Sequence, residues 1–264
     1  MKRNMVFIII VFISALLFNA CKSNSTTAPQ TPTNSGNYFP NGEGNIYKYS
    51  VTKTDSTENT NSGTRTTSYQ GTTVLAGVTY QNQIDTVTFG NFSTIATSLF
   101  LESNSGVVYT IDTTGLSETI PDSIKQYIQM DAGLKVFQFP FQDGQTWPVF
   151  NMSLKFGAIT FNLVSVSAYY QGMENVTLNL ASGTVTDKAA KIKYVLTLTV
   201  PDLTNPLATP KTYSYTAYTW LVNNIGVVQM QGNGTIMDAF TGGGIHFSDT
   251  TSTVTQSLVS YNIK

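Results

Sequence analysis

His246 is the side chain of this sequence best suited to acid–base chemistry, because it is the single histidine and only histidine has an unperturbed pKa close to neutrality. Its surroundings supply no partner for such chemistry. Glycines 242–244, Ile245 and Phe247 flank it, and Asp249 would point to the opposite face of an extended strand. No serine lies in a Gly-x-Ser-x-Gly elbow. We therefore expect no catalytic residue, and a hydrolase is the least favoured class of function.

Metal and phosphate patterns are also missing from the sequence. There is no cluster of His and Cys residues and no acidic loop of the calcium-binding type. Glycines 242–244 lack a following Lys-Ser or Lys-Thr pair, so they predict a hairpin loop rather than a phosphate cradle. No two carboxylates stand out as the facing pair of a glycosidase. We expect no metal and no cofactor.

The aspartates are spread singly along the chain, among residues that form turns. Aspartate is an ordinary turn former, because its side chain bonds to nearby backbone amides. We therefore expect a turn role for the following residues: Asp85, Asp112, Asp122, Asp131 and Asp143.

Cys21, the single cysteine, ends a segment that has the order of a secretory signal. Lys2 and Arg3 give a positive start, and an almost unbroken apolar run extends over residues 5–18. This run is shorter than the about 20 residues that a membrane-spanning helix needs, which favours a cleaved signal over an uncleaved anchor. Residues 1–20 are therefore predicted to be a signal peptide.

A cysteine at the cut makes the segment resemble a bacterial lipoprotein signal, in which the thiol is acylated and becomes the mature N-terminus. Ala20 fits that signal, whereas Phe18 and Asn19 stand where it usually has leucine and a small residue. The alternative is an inert thiol in a tail. The resemblance implies that Cys21 is the lipid attachment site. It also implies that the protein lies in the bacterial cell envelope, at the outer membrane, with the membrane as a partner.

Residues 21–37 have the composition of a flexible tether. They are mostly Ser, Thr, Asn, Gln and Pro, which bury too little apolar surface to offset the entropy of ordering them. In the whole chain, charged residues are 11% and the formal net charge is −1. With no basic patch, this composition argues against nucleic acid as a partner. A single cysteine excludes a disulfide within the chain.

Residues 38–264 are predicted to form a single all-β domain, because period-two alternation recurs along them. Tyr47, Tyr49 and Val51 alternate with polar residues, and similar patterns cover residues 194–200 and 213–220. Turns are predicted at Ser105-Gly106, Ser182-Gly183 and Asn233-Gly234. Helical spacing after Pro121 predicts one short helix over residues 122–132.

An internal echo suggests two similar halves, residues 38–137 and 138–264. Residues 39–47 read Phe-Pro-Asn-Gly-Glu-Gly-Asn-Ile-Tyr, and residues 139–147 read Phe-Pro-Phe-Gln-Asp-Gly-Gln-Thr-Trp. Proline and glycine suit a turn, and the last aromatic residue of each suits a core position at the start of a strand. Duplication and convergence on one turn both remain open.

These motifs resemble a group of β-rich bacterial envelope lipoproteins of uncharacterised function. The group has an aromatic-Phe-Pro-x3-Gly-Asn opening, a Gly-x-x-Trp motif in mid-chain and a closing Trp…Gly-Val-Val. The group also has a Glu-x-Val-Thr…Gly-Thr segment before that closing motif. The matching positions are Tyr38, Phe39, Pro40, Gly44, Asn45, Gly144, Trp147, Glu174, Val176, Thr177, Gly183, Thr184, Trp220, Gly226, Val227 and Val228. Tyr47 stands where the group usually has tryptophan. The resemblance implies a strongly curved antiparallel sheet, or an open or half barrel remotely like periplasmic lipoprotein carriers. It brings no catalytic residues.

Aromatic residues are the remaining functional signal, with 14 Tyr and 15 Phe in the chain. Most are expected to fill the core, among them Phe137, Phe139, Phe141, Trp147, Tyr213, Tyr215 and Trp220. The concave face of a curved sheet is nevertheless where an apolar ligand would bind. We therefore expect a non-enzymatic lipoprotein that binds a hydrophobic or lipid-like ligand there. The alternative is an interaction, scaffold or glycan-binding lipoprotein with an envelope protein partner.

Overall fold

The computed structural model describes residues 36–111, 122–200, 209–240 and 251–264. Cys21, Asp112, glycines 242–244 and His246 lie outside the described residues, as does nearly all of the predicted tether.

The described residues form thirteen strands and two short helices. The strands are β1 (Ile46–Thr54), β2 (Thr60–Leu75), β3 (Val78–Phe89), β4 (Phe92–Ser103), β5 (Gly106–Thr110), β6 (Ile128–Met130), β7 (Gly133–Gln138), β8 (Thr146–Phe156), β9 (Ile159–Leu180), β10 (Gly183–Val200), β11 (Lys211–Val222), β12 (Gly226–Asn233) and β13 (Thr253–Asn262). The helices are α1 (Asp122–Lys125) and α2 (Gly234–Phe240).

All thirteen strands belong to one antiparallel sheet, in the order β6-β8-β9-β10-β11-β12-β13-β1-β2-β3-β4-β5-β7. The first and last long strands, β1 and β13, are neighbours in the middle of the sheet. This arrangement confirms the predicted all-β fold with a single curved antiparallel sheet. The sheet is open, because its order has two ends.

The predicted alternation places one face of each strand in the core. In β1, Tyr47, Tyr49 and Val51 are 3%, 5% and 3% exposed, while Lys48 and Ser50 face solvent. Successive side chains of a strand point to opposite faces, so this pattern gives β1 one buried face. We call the face that carries Tyr47 and Tyr49 the inner face of the sheet.

The sheet bends far enough for its two ends to approach each other. Trp147 of β8 donates its Nε1 hydrogen to the carbonyl of Lys135 in β7, at 3.0 Å. Tyr194 of β10 also donates, through its hydroxyl, to the carbonyl of Val136 at 3.0 Å. These are bonds from side chains, so the curved sheet approaches closure without a backbone ladder between β7 and β8.

The helix predicted over residues 122–132 is correct only in its first turn. Helix α1 ends at Lys125, and residues 128–130 pair as β6 with β8, with Ile128 opposite Leu154. Gly133 starts β7, opposite Thr110. A helix this short is marginal by itself, whereas the free edge of β8 offers backbone partners for a strand.

A second helix, α2, was not predicted and begins where a turn was expected. Asn233 ends β12, and its Oδ1 accepts a hydrogen bond from the amide of Thr235 at 3.1 Å. This contact caps the first turn of a helix, which is why the Asn-Gly pair does not form a hairpin. The turns predicted at Ser105-Gly106 and Ser182-Gly183 are confirmed between β4 and β5 and between β9 and β10.

The two segments of the sequence echo, residues 39–47 and 139–147, form equivalent backbone hydrogen bonds. The amide of Asn45 donates to the carbonyl of Gly42 at 3.0 Å, and the amide of Gln145 donates to the carbonyl of Gln142 at 2.9 Å. The amide of Tyr69 then donates to the carbonyl of Asn45 at 3.2 Å. Duplication of the halves 38–137 and 138–264 stays a prediction.

A second repeat, not predicted from the sequence, follows each of these turns in the chain. The amide of Tyr170 donates to the carbonyl at the end of the second turn at 3.0 Å, as that of Tyr69 does in the first. Each tyrosine opens a Tyr-Gln-Gly run, and the glycines, Gly71 and Gly172, have φ of +65° and +93°. Both runs lie where the ladder to the next strand shifts register, a bulge that favours glycine.

Candidate functional site

Buried polar side chains lie together on the inner face, on strands β2, β3, β5 and β13. Their burial is unusual in a chain with so few charged residues, because charged side chains are rarely buried unless they are paired. We call this group the inner polar cluster; its members are Arg65, Thr67, Gln83, Asp85, Tyr109 and Gln256, each at most 7% exposed.

An ion pair lies at the centre of the inner polar cluster. Arg65 Nε donates to Asp85 Oδ1 at 2.8 Å, with side-chain exposures of 6% and 0%. Arg65 Nη1 donates to Gln256 Oε1 at 3.1 Å. The guanidinium carbon lies 5.6 Å from the centre of the Tyr49 ring. The cation is therefore held by a carboxylate, an amide and an aromatic face.

The carboxylate of Asp85 receives further hydrogen bonds. Thr67 Oγ1 donates to Oδ1 at 2.5 Å, and Gln83 Nε2 donates to Oδ2 at 2.7 Å. Gln83 in turn accepts, through Oε1, the hydroxyl of Tyr109 at 2.6 Å. A buried charge costs least when it is paired and fully hydrogen-bonded, and both conditions hold for Asp85.

The strand register explains why these residues meet. Arg65 lies opposite Tyr49, and Thr67 lies opposite both Tyr47 and Asp85, so all of them share the inner face. The prediction that Asp85 is a turn residue is therefore wrong, because it occupies the middle of β3. The missed signal was the alternation Arg-x-Thr and Gln-x-Asp within two strands. Asp131, by contrast, does occupy a connection and accepts from the amide of Asn151 at 2.8 Å.

Burial and the charge of Asp85 shift the pKa values of Arg65, Tyr109 and Tyr49. Burial alone would lower the pKa of Arg65, but the Asp85 carboxylate raises it above its ordinary value. Burial raises the pKa of Tyr109 and Tyr49, and the charge of Asp85 adds to this effect. Both phenols are therefore protonated near neutral pH.

A small cavity adjoins the inner polar cluster, lined by Arg65, Gln83, Tyr109 and the ring of Phe39, among others. It offers about 40 Å³ to the centre of a water molecule. One water needs about 10–15 Å³ by this measure, so the cavity suits a few waters. Pockets for small organic ligands are usually of about 300–1,000 Å³.

Aromatic rings of the described residues pack together beside this cavity. Phe39, from the segment before β1, has its ring centre 5.7 Å from Tyr69, 5.4 Å from Phe100 and 5.7 Å from Phe137. The contacts with Tyr69 and Phe100 are edge-on and the contact with Phe137 is tilted, and ring pairs at these distances stabilise a packed core.

The predicted core aromatics are mostly confirmed. The confirmed residues are Phe137, Phe141, Trp147 and Trp220, all buried. Phe139 and Tyr215 are partly buried against the core. Tyr213 was predicted wrongly, because it lies at the start of β11 and is 47% exposed.

Helix α2 closes one side of the interior. Phe240 packs edge-on against Tyr194, with ring centres 4.5 Å apart. Phe240 lines the cavity beside the polar cluster and also a second, apolar cavity of about 20 Å³ that includes Leu196 and Ile236. The helix therefore stands between two small cavities.

Trp220 is buried on the outer face, beside a charged pair. Its Nε1 donates to Glu174 Oε1. Lys191 Nζ lies 4.9 Å from the centre of the Trp220 ring and 3.2 Å from Glu174 Oε2. The hydrogen bond from Trp220 lowers the pKa of Glu174, and Lys191 adds to this effect. With Trp147 and Trp220 at 2% and 6% exposure, neither tryptophan forms an open surface for a sugar.

Two further properties concern only the residues that the structure describes. None of their helices is long and apolar enough to cross a membrane. Within the same residues, no group of three or more His, Cys, Asp or Glu side chains is placed to hold a metal ion.

No protein-family model matches the chain, and no curated protein matches its sequence. Three solved structures are similar to it. A Bacteroides fragilis protein described as exported, with a YmcC-like fold, has a TM-score of 0.42 and 13% identity over 86% of this chain and 99% of that chain. A Parabacteroides distasonis lipoprotein has a TM-score of 0.42 and 11% identity over the same shares, 86% and 99%. The Escherichia coli lipoprotein YmcC has a TM-score of 0.29 and 12% identity over 81% and 84%. TM-scores of this size do not establish a common fold.

Proposed function

We propose that this protein is a non-enzymatic lipoprotein of the bacterial envelope, anchored through Cys21, whose folded domain acts as an interaction or scaffold module. The interaction or scaffold role is supported by the inner face of the sheet, where side chains of the described residues pack against one another. Phe39 and its aromatic neighbours occupy it, and the ion pair of Arg65 and Asp85 is satisfied within it. Contacts with a partner then fall to the outer surface.

Exposed apolar side chains suited to such a contact lie at the end of the sheet opposite to the start of β1. Phe92 and Ile95, at the start of β4, are 83% and 73% exposed. They lie next to the β3–β4 turn, with Phe92 opposite Phe89. Exposed aromatic and aliphatic side chains of this kind are the usual anchors of protein interfaces. An envelope protein is the partner that the proposed location favours.

The anchor is tested by Cys21→Ser in the full chain. Serine has no thiol to which a lipid could be attached, so the variant should move from the membrane fraction to the soluble fraction. Phe92→Ser is the matched control, because it alters the surface and leaves the signal intact. A Cys21→Ser protein that stays as membrane-bound as the wild type would overturn the anchor.

A hydrophobic ligand in the concave face is the second candidate, and α2 is the observation that favours it. Phe240 lines both cavities, so movement of the helix would join them into one larger space that is apolar on the side of Leu196 and Ile236. The ligand would replace the contacts that Phe240 makes with Tyr194. A lipid that co-purifies with the domain, beyond the anchor itself, would favour this candidate over the first.

A further inference from the structure

The hairpin of β2 and β3 continues beyond the ladders that join it to its neighbouring strands, although β4 itself runs on to Ser103. The ladder between β1 and β2 ends at Ile46 and Ser68, and the ladder between β3 and β4 ends at Gln81 and Phe100. Beyond these pairs, residues 72–80 continue as a two-stranded ribbon whose last pair is Leu75 opposite Val78. We call residues 72–80 the proximal ribbon, because it lies at the end of the sheet where β1 begins.

The tip of the proximal ribbon is apolar and exposed. Val74, Leu75 and Val78 are 66%, 52% and 41% exposed. Between them, Ala76 and Gly77 have φ of +51° and +80°, as a tight two-residue hairpin turn requires. No charged residue occurs between Arg65 and Asp85 in the sequence. A contiguous apolar tip on an uncharged ribbon is typical of a contact surface rather than of isolated surface residues.

The chain from the proposed anchor arrives at the same end of the sheet. The carbonyl of Asn37 accepts a hydrogen bond from the amide of Asn224, in the turn between β11 and β12, at 2.7 Å. The amide of Gly44 donates to the carbonyl of Tyr69 at 2.8 Å, at the base of the hairpin. Even a fully extended chain from Cys21 to residue 36 spans at most about 50 Å. A membrane that holds Cys21 is therefore within reach of this end.

The corresponding hairpin of the second half provides a contrast within the same protein. Hairpin β9–β10 turns at residues 181–182 and packs back on the sheet, where the amide of Ala181 donates to the carbonyl of Val259 at 2.8 Å. Two of its apolar residues, Val176 and Leu178, are only 6% and 4% exposed, whereas Val185 is 44% exposed. A long hairpin can thus bury apolar residues of one face against this sheet, and the tip of the proximal ribbon does not.

We propose that the tip of the proximal ribbon inserts into the interfacial layer of the lipid membrane that holds the Cys21 anchor. This inference rests on the proposed lipid anchoring. Exposed aliphatic side chains without nearby charge gain by entering the boundary of headgroups and acyl chains, and a second membrane contact strengthens a lipid anchor. The Glu102 carboxylate of the neighbouring strand and Gln81 at the base of the ribbon both accept a hydrogen bond from Asn41 Nδ2, at 2.7 Å, so this acid is held at the base. Insertion is therefore limited to the tip.

The test uses the full lipidated chain with a single new thiol at the tip, Leu75→Cys, labelled with a polarity-sensitive fluorophore. The protein is reconstituted in vesicles of phosphatidylethanolamine and phosphatidylglycerol, with and without brominated acyl chains. Asn91→Cys is the matched control, because Asn91 is an exposed residue of the β3–β4 turn at the opposite end of β3. We expect brominated lipid to quench the label at position 75 by about twofold and to leave that at position 91 unchanged.

A second variant separates insertion from misfolding. Val74→Asp and Val78→Asp together, in the Leu75→Cys background, should abolish the quenching while the melting temperature stays the same, because both side chains are exposed. An anchored chain that floats with the vesicles but shows no quenching at position 75 overturns the ribbon contact alone. A label shielded from aqueous quenchers but not reached by brominated lipid shows a protein contact instead, and also overturns it. A chain that does not float overturns the anchor and this proposal together.

Discussion

Arg65 and Asp85 form an ion pair inside the curved sheet, with Nε 2.8 Å from Oδ1 and both side chains buried. The pair joins β2 to β3 on the face that an internal ligand would occupy. Because the carboxylate also accepts from Thr67 and Gln83, the pair is complete without any outside partner. This relationship makes the inner polar cluster a structural feature of a filled interior.

Removing one member of this pair should destabilise the fold strongly. Asp85→Ala leaves Arg65 buried without its carboxylate, and we expect a loss of about 3–5 kcal/mol in the free energy of unfolding. Denaturant unfolding followed by tryptophan fluorescence measures it. Asp55→Ala, in an exposed turn, is the control and should cost far less. An Asp85→Ala protein as stable as the wild type would contradict the buried pair.

The strand pattern was predictable where burial alternates cleanly. Tyr47, Tyr49 and Val51 gave β1 its inner face from sequence alone. The inner polar cluster was not predictable in this way, because Asp85 has the composition of a turn residue and its partner Arg65 lies on another strand. Long-range register, which no local pattern contains, brings the two together.

The helices were harder to predict than the strands, for reasons visible in the structure. Ile128 has helical spacing from Ile124 but pairs with Leu154 across an open sheet edge, so tertiary contact overrides the local pattern. Helix α2 depends on a cap by Asn233 that also fits a hairpin signal.

Both tryptophans should prove structural when truncated. Trp147→Ala and Trp220→Ala each remove a buried aromatic side chain, and we expect a cost of about 3–5 kcal/mol in each variant. Trp147→Phe is the matched control, since it keeps most of the volume and loses only the bond to the Lys135 carbonyl. Thermal unfolding of the purified variants measures the effect. A Trp220→Ala protein with an unchanged melting temperature would revive an exposed sugar platform.

Glu174 should make stability depend on pH in the acidic range. Its pKa is lowered from an ordinary 4.5 by the hydrogen bond from Trp220, so the folded state favours the charged form. The resulting stability is fully present above 4.5 and is lost as the pH falls through the lower folded pKa. Glu174→Gln should therefore be less stable than the wild type at neutral pH, with the difference vanishing in strong acid. Equal melting temperatures at neutral pH would contradict this, and Glu43→Gln in an exposed turn serves as the control.

Truncation of Phe240 tests whether the interior of the sheet can bind an apolar ligand. We expect wild-type domain to carry no lipid besides the anchor, and Phe240→Ala to gain binding of a small apolar probe such as benzene, because truncation leaves a cavity beside the Tyr194 ring. Native mass spectrometry of protein released from membranes tests the first part, and calorimetry with benzene tests the second. Wild-type protein that retains a stoichiometric lipid would instead support a ligand that displaces α2.

We propose that Cys21 carries the lipid that holds this domain at the envelope. Mass spectrometry of the N-terminal peptide of protein purified from the membrane fraction tests this directly. We predict a peptide that begins at Cys21 and carries acyl chains on that residue. A peptide that retains residues 1–20, or one with an unmodified Cys21 thiol, would contradict it.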